Sequence, residues 1–307
     1  MMAKARIGCK GCAMKRVPRF ASLWIGIFAA AATAAEPRVI RDVEYAKVGE
    51  ISLKLDLYSP AAATSPPLVV WVHGGAWRSG SKKDTPLLPL TERGIAVASV
   101  DYRLSPVAPY PAQIHDLKAA VRYVRANSQK LGLDSSRIAI SGGSAGGHLA
   151  ALVGVTNGSK EHEGDVGEHD GVSSDVQATV VFYGASNLTT ILAQSTPHGL
   201  SVREPALTLL FEGKPDEKQD LARLASTVFF VDPRDPPLLI YHGDQDPQMP
   251  INQAHELVGA CKKQGVPVTF EVVYGGAHGG KLFYTPKQLE QVAEFLNASL
   301  KPAKRNP

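Results

Sequence analysis

The segment Arg137-Ile-Ala-Ile-Ser-Gly-Gly-Ser-Ala-Gly-Gly-His-Leu-Ala150 constrains this chain more than any other. It reads as a short apolar strand, then Gly142-Gly143-Ser144-Ala145-Gly146, then the small-residue opening of a helix. A G-x-S-x-G run in that context is a sharp turn presenting a serine hydroxyl above a sheet. The composition follows from the geometry: a Cβ at Gly142 or Gly146 collides with the adjoining strand or helix. The same turn aims the backbone N–H of Ala145 at the space in front of Ser144.

Three further segments each end a strand in a loop suited to chemistry. In Leu68-Val-Val-Trp-Val-His-Gly-Gly-Ala-Trp77, a buried strand runs into His73-Gly74-Gly75-Ala76. Glycines there let backbone approach a substrate closely, and the amides of Gly75 and Ala76 join that of Ala145 as candidate oxyanion donors, each worth roughly 3–4 kcal/mol in acyl transfer. His73 reads as a residue that shapes the turn and not as a second base. Trp77 either walls the acyl pocket or packs in the core. We carry it as a substrate-binding candidate together with Tyr183, which ends the strand after the elbow.

Pro237-Leu-Leu-Ile-Tyr-His-Gly-Asp-Gln-Asp246 and Val268-Thr-Phe-Glu-Val-Val-Tyr-Gly-Gly-Ala-His278 supply an acid and a base in the order Ser, Asp, His. Each follows a strand, where open parallel sheets place their ligands. Asp246 fits the His-Gly-x-x-Asp spacing and is the candidate acid, while Asp244 reads as a brace for its own loop. His278 is the candidate base. His115, His162, His169, His198 and His255 lack a strand immediately before them, and His148, one helical turn after Ser144, reads as packing beneath the elbow.

Composition bounds the rest. The 307 residues are 44% hydrophobic and 20% charged, enough for one large core and no second full domain. The N-terminus reads as a removable signal over residues 1–35: a basic stretch Met14-Lys-Arg-Val-Pro-Arg19, an apolar run from Phe20 to Ala32, and the small-residue site Ala32-Thr33-Ala34. Met14 is as good a start as Met1. The uncharged run is shorter than the roughly 20 residues that span a bilayer, so no stable membrane anchor is expected.

Residues 1–35 hold six of the 33 Lys and Arg and no acid. The remainder therefore carries 27 against 29, a net charge of −2. The basic balance belongs to the leader, and nothing points to nucleic acid. A single cysteine, Cys261, remains after residue 35, and no Cys/His spacing suits zinc. No cofactor and no catalytic metal are expected, and the oligomeric state is left open.

Periodicity predicts an opening antiparallel pair at 38–46 and 51–58. Strands follow at 68–72, 95–100, 137–141, 178–183, 237–242 and 268–274, interleaved with helices near 81–93, 112–131, 144–155, 250–264 and 286–300. That alternation predicts an α/β fold with a mostly parallel, eight-stranded sheet covered on both faces. Asn157–Asp175 is polar and acidic and reads as a solvated surface loop, with weak calcium binding as the sharper alternative.

As a set, His73-Gly-Gly-Ala-Trp77, Asp101-Tyr-Arg-Leu104, Gly142-Gly-Ser-Ala-Gly-Gly147, His242-Gly-x-x-Asp246 and Gly276-Ala-His278 resemble secreted bacterial esterases of the α/β-hydrolase superfamily. The subgroup is the feruloyl-esterase-like or acetyl-xylan-esterase-like one, near the hormone-sensitive-lipase group. The likeness runs from about Val39 to Leu300. It implies a catalytic domain over 36–307 with a cap inserted at about 188–227, secreted or periplasmic. It also implies hydrolysis of a small-molecule or polysaccharide-linked ester through an acyl-enzyme. Ala76 departs from the family's third glycine, but its amide still donates. A general short-chain carboxylesterase is the alternative. A peptidase or amidase of the same fold is a weaker one, because the chain leaves no room for the large propeller such peptidases carry.

Overall fold

The computed structural model describes residues 36–301 together with Gly8 and Gly11. Apart from those two glycines, the leader read at 1–35 lies outside the described residues. Eight strands form one sheet: β1 (Arg38–Val48), β2 (Ile51–Ser59), β3 (Leu68–Val72), β4 (Ala96–Val100), β5 (Ile138–Gly143), β6 (Ala178–Phe182), β7 (Leu238–Gly243) and β8 (Val268–Val273). Their order is β1-β2-β4-β3-β5-β6-β7-β8, with β1–β2 and β2–β4 antiparallel and every other pair parallel. This is the α/β-hydrolase architecture.

Continuous apolar runs make the central strands because both of their faces are covered. In β3, Leu68, Val70 and Val72 enter one core and Val69 and Trp71 the other. The first core is sealed by helix Ala112–Ala126 through Ile114, Leu117, Val121 and Val124, and by the helix after the elbow, Ala145–Gly154. Helix Pro286–Ser299 closes the second through Leu289, Val292 and Leu296. Under helix Asn252–Gln264 lies a third cluster that includes Cys261, whose buried thiol is pushed up to about 12 by desolvation. Among the described residues no helix is long and apolar enough to cross a membrane.

Two expectations are corrected. The helix expected at 81–93 is only a 3-10 turn over Leu88–Arg93. Pro86 and Pro89 remove amide donors an α-helix needs. Lys82 is instead drawn into the sheet, its ammonium 2.7 Å from buried Asp56 and 2.9 Å from Asp42.

The acidic loop at 157–175 is not simply solvated. Buried Lys118 donates to the Thr156 carbonyl at 2.8 Å and to Ser174 at 3.2 Å, and pairs with Glu163 at 3.4 Å. Arg122 also pairs with Glu163 and donates to the Val166 carbonyl at 2.6 Å. Burial opposes ionisation of Glu163, but Ser174 and these two cations outweigh it and hold the carboxyl below its usual range. Asp175 accepts from the Gly158 amide at 2.8 Å. Glu163 thus holds the loop on helix Ala112–Ala126, and Asp175 ties the two ends of the loop together. Among the described residues no group of three or more His, Cys, Asp or Glu is arranged to hold a metal ion.

The elbow is the tightest point of the fold. A Cβ on Gly146 would lie 2.1 Å from the Val72 carbonyl oxygen, and one on Gly142 would lie 2.2 Å from that of Gly146. Both obstacles are backbone, so neither can swing aside. Gly146→Ala is expected to cost roughly 3 kcal/mol or more of stability. Urea unfolding followed by circular dichroism checks this, and a midpoint equal to that of the parent would contradict it.

Candidate active site

Four parallel strands end at one edge of the sheet, and each delivers one part of the site. The turn after β5 holds Ser144 at φ 57° and ψ −121°, a conformation costing on the order of 1–3 kcal/mol in a residue other than glycine. The loop after β3 lies against it: a Cβ on Gly74 would be 3.3 Å from that of Ser144. Asp246 follows β7 and His278 follows β8.

These side chains form one hydrogen-bonded chain. Ser144 Oγ is 2.8 Å from His278 Nε2, and His278 Nδ1 is 2.7 Å from Asp246 Oδ2. A carboxylate can only accept, so the imidazole proton sits on Nδ1, and Nε2 is left free to accept the serine proton. The second Asp246 oxygen accepts from the amides of Gln248 and Met249, each at 2.8 Å. Burial opposes ionisation of Asp246. His278 and the two amides more than offset this and hold its carboxyl below the ordinary range. Asp244 lies outside the chain and accepts from the Gly275 amide at 2.7 Å, tying the β7 loop to the β8 loop. Among the described residues the amides of Gly75, Ala76 and Ala145 donate to no protein acceptor.

The remaining nearby histidines are held in structural roles. His73 stacks on Tyr102 with ring centres 4.4 Å apart and bonds the Gly74 carbonyl at 2.8 Å. His148 lies under the elbow, where burial lowers its pKa to about 4. It meets the Ala225 carbonyl through Nε2 and accepts from the Trp77 indole N–H at 3.1 Å. His242 is also desolvated and donates Nε2–H to the Met249 carbonyl at 3.0 Å, bracing the acid's loop from below.

The structure corrects the substrate-binding reading of Trp77. Its backbone turns through φ 59° and sends the indole into the interior, where it is 0% exposed and packs edge-on against His148. It has no surface to offer a substrate. Tyr183 does lie beside the site, its ring 5.1 Å from that of His278, but it is 8% exposed and its hydroxyl is bonded to that of Tyr284 at 2.8 Å.

The BD-FAE family model matches residues 55–260, from within β2 into helix Asn252–Gln264, which follows Asp246. This chain belongs to the BD-FAE family. Esterase LipC of Mycobacterium tuberculosis is 32% identical over 238 residues, covering 75% of this chain and 58% of that protein. This BD-FAE chain therefore spans well under two thirds of that relative's length. Among solved structures, a truncated carbohydrate esterase from gut microbiota superposes with a TM-score of 0.80 at 33% identity, covering 87% of this chain and 98% of its own. An acetyl ester-xyloside bifunctional hydrolase from Caldicellulosiruptor lactoaceticus gives a TM-score of 0.68 at 25% identity, covering 87% and 96%.

Two residues beside the site escaped the sequence reading of this family member. Tyr284 follows the histidine loop by a few residues and carries no motif. Arg203 sits on helix Pro197–Phe211 in the segment between β6 and β7, 1% exposed, with Nε and Nη2 unpartnered. Burial pulls its pKa down to about 10, opposed by the charge of Asp246. The same helix is capped by Thr196, whose hydroxyl donates to the Pro247 carbonyl at 2.8 Å, so it docks on the acid's loop.

The two aspartates separate by exchange for asparagine. Asp246→Asn admits the wrong imidazole tautomer and is expected to lower kcat by about 10⁴. Asp244→Asn keeps an acceptor for Gly275 and is expected to cost less than about tenfold. Steady-state kinetics on a p-nitrophenyl ester reads both, and the reverse order would mean that Asp244 serves His278.

Proposed function

We propose that this chain is a serine carboxylic-ester hydrolase. The unbroken path from Ser144 Oγ through His278 to Asp246, beside three amides that donate to no other group, carries the reading. His278 Nε2 takes the proton of Ser144 as its oxygen attacks the acyl carbon. The tetrahedral oxyanion then forms against the N–H groups of Gly75, Ala76 and Ala145. Asp246 stabilises the imidazolium, which returns its proton to the departing alcohol. Water, activated in turn by His278, attacks the acyl-enzyme and frees the acid and Ser144.

Within that chemistry we assign the substrates as feruloyl or acetyl esters carried on plant polysaccharide. The likeness to carbohydrate esterase structures supports this, as does a leader over residues 1–35 that would export the enzyme to where polymers are. The segment at 188–227 docks on the acid's loop and is read as the cap. The general short-chain esterase is the second reading, favoured by relatives such as LipC that are named simply as esterases.

Ser144→Ala is expected to abolish hydrolysis with circular dichroism unchanged, since a smaller residue fits the same turn. Near-normal turnover in that variant would remove the nucleophile assignment. A panel of p-nitrophenyl acetate and butyrate, methyl ferulate and acetylated xylan then separates the two substrate readings. Release of acetate or ferulate from the carbohydrate-linked esters is the expected result, and turnover of the p-nitrophenyl esters alone would favour the general esterase.

Export is expected to leave a mature N-terminus at Ala35 or Glu36. Sequencing of the secreted or periplasmic product checks it, and an uncleaved membrane-bound chain would contradict it.

A further inference from the structure

We propose that Tyr183 is a positioning residue for this reaction, a strut braced by Tyr284 that sets His278 against Ser144. The proposal rests on the triad reading above and concerns what holds it in register.

The phenol of Tyr183 is wedged between the two loops whose separation matters most. A Cβ on Gly143, the residue before the nucleophile, would lie 3.0 Å from the Tyr183 hydroxyl oxygen. One on Gly279, the residue after the base, would lie 3.2 Å from the same atom. The hydroxyl thus lies close to backbone that leads directly to Ser144 and to backbone that leads directly to His278. Its ring stands nearly edge-on to the imidazole, 5.1 Å between centres at 67°, and meets Phe283 on another side at 4.6 Å.

Tyr284 fixes the far end of the strut. The two hydroxyls share a hydrogen bond of 2.8 Å, and burial pushes both phenols above their usual pKa, so both keep their protons. Tyr284 is itself clamped edge-on by Trp71 and tilted against Phe182, side chains of β3 and β6. Its own position is therefore referred to the centre of the sheet.

Tyr183 also holds φ 40°, a conformation that bulky side chains avoid. Its amide is locked to the Tyr241 carbonyl at 2.7 Å. Backbone strain of this kind persists where the surroundings over-determine it. Glycine would occupy the same backbone without strain, yet the position carries a tyrosine, so the side chain supplies something the turn itself does not need.

The test compares Tyr183→Gly, Tyr183→Phe and Tyr284→Phe with the parent and with Ser144→Ala. Glycine suits φ 40°, so Tyr183→Gly removes the strut while leaving the turn its preferred geometry. On p-nitrophenyl acetate it is expected to lower kcat about 100-fold with KM within about threefold, as misplacing a catalytic group by an ångström does. Inactivation by an aryl phosphonate should slow by a similar factor, because that reaction needs the same proton transfer and no deacylation. Tyr183→Phe keeps the ring but loses the hydrogen bond to Tyr284, so it should fall about as far as Tyr284→Phe and well short of Tyr183→Gly. Tyr284→Phe, which removes only the brace, should cost about three- to tenfold in kcat at unchanged KM.

A Tyr183→Gly enzyme with kcat within threefold of the parent overturns the proposal, whatever its melting temperature. So does a raised KM at constant kcat, which would make Tyr183 a substrate contact. If Tyr183→Gly does not fold, an unchanged kcat in Tyr284→Phe overturns it instead. Activity surviving in Ser144→Ala would instead reject the triad reading itself, independently of any result at Tyr183.

Discussion

The contact on which this structure depends is backbone against backbone: Gly146 of the elbow helix pressed onto the carbonyls of Val72 and His73 at the end of β3. It sets how closely the β5 turn approaches the β3 loop. That distance brings Gly74, which leads into Gly75 and Ala76, against Ser144. Were the helix held one methyl group further off, the serine and the amides would no longer face one volume. Preorganised donors act only where charge develops, so the close packing of Gly146 on these carbonyls is a condition for the proposed chemistry.

Strain is concentrated at the same edge. Among the described residues, seven other than glycine have positive φ, and four of them are Ala76, Trp77, Ser144 and Tyr183. They lie just past the ends of β3, β5 and β6. Each costs on the order of 1–3 kcal/mol, which the cores on both faces of the sheet must offset. The return is direction: Ser144 is turned outward, Trp77 inward onto His148, and Tyr183 sideways onto His278. The neighbouring histidines show the complementary device. His73, His148 and His242 are desolvated and bonded to backbone carbonyls, which leaves His278 as the imidazole meeting both a hydroxyl and a carboxylate.

Much of this was legible before any coordinates. All eight strands fall within a few residues of their expected bounds: the central ones are short apolar runs that admit little else, and β1 and β2 alternate apolar with polar residues. The positions of Ser144, Asp246 and His278 follow from local rules, each a polar residue just beyond an apolar strand. The roles of His73 and His148 were read correctly from their places in the turn and helix. Asp244 was expected to brace its own loop, but the amide it accepts from, Gly275, lies on the loop after β8.

Determined by sequence alone were the layered α/β architecture, the elbow and the order of its partners, because these rest on periodicity and on turn chemistry within a few residues of each motif. Tertiary structure decided the rest. Nothing near Trp77 distinguishes a pocket wall from a core residue, and the choice is made by a histidine 71 positions away. Lys82 is tied to Asp56 of β2, and Glu163 is drawn partly out of the solvent by Lys118 and Arg122 of another helix. Tyr183 finds Tyr284 at a separation of 101 residues. Such contacts depend on which surfaces the packed sheet brings together, and a linear pattern holds no record of that distance.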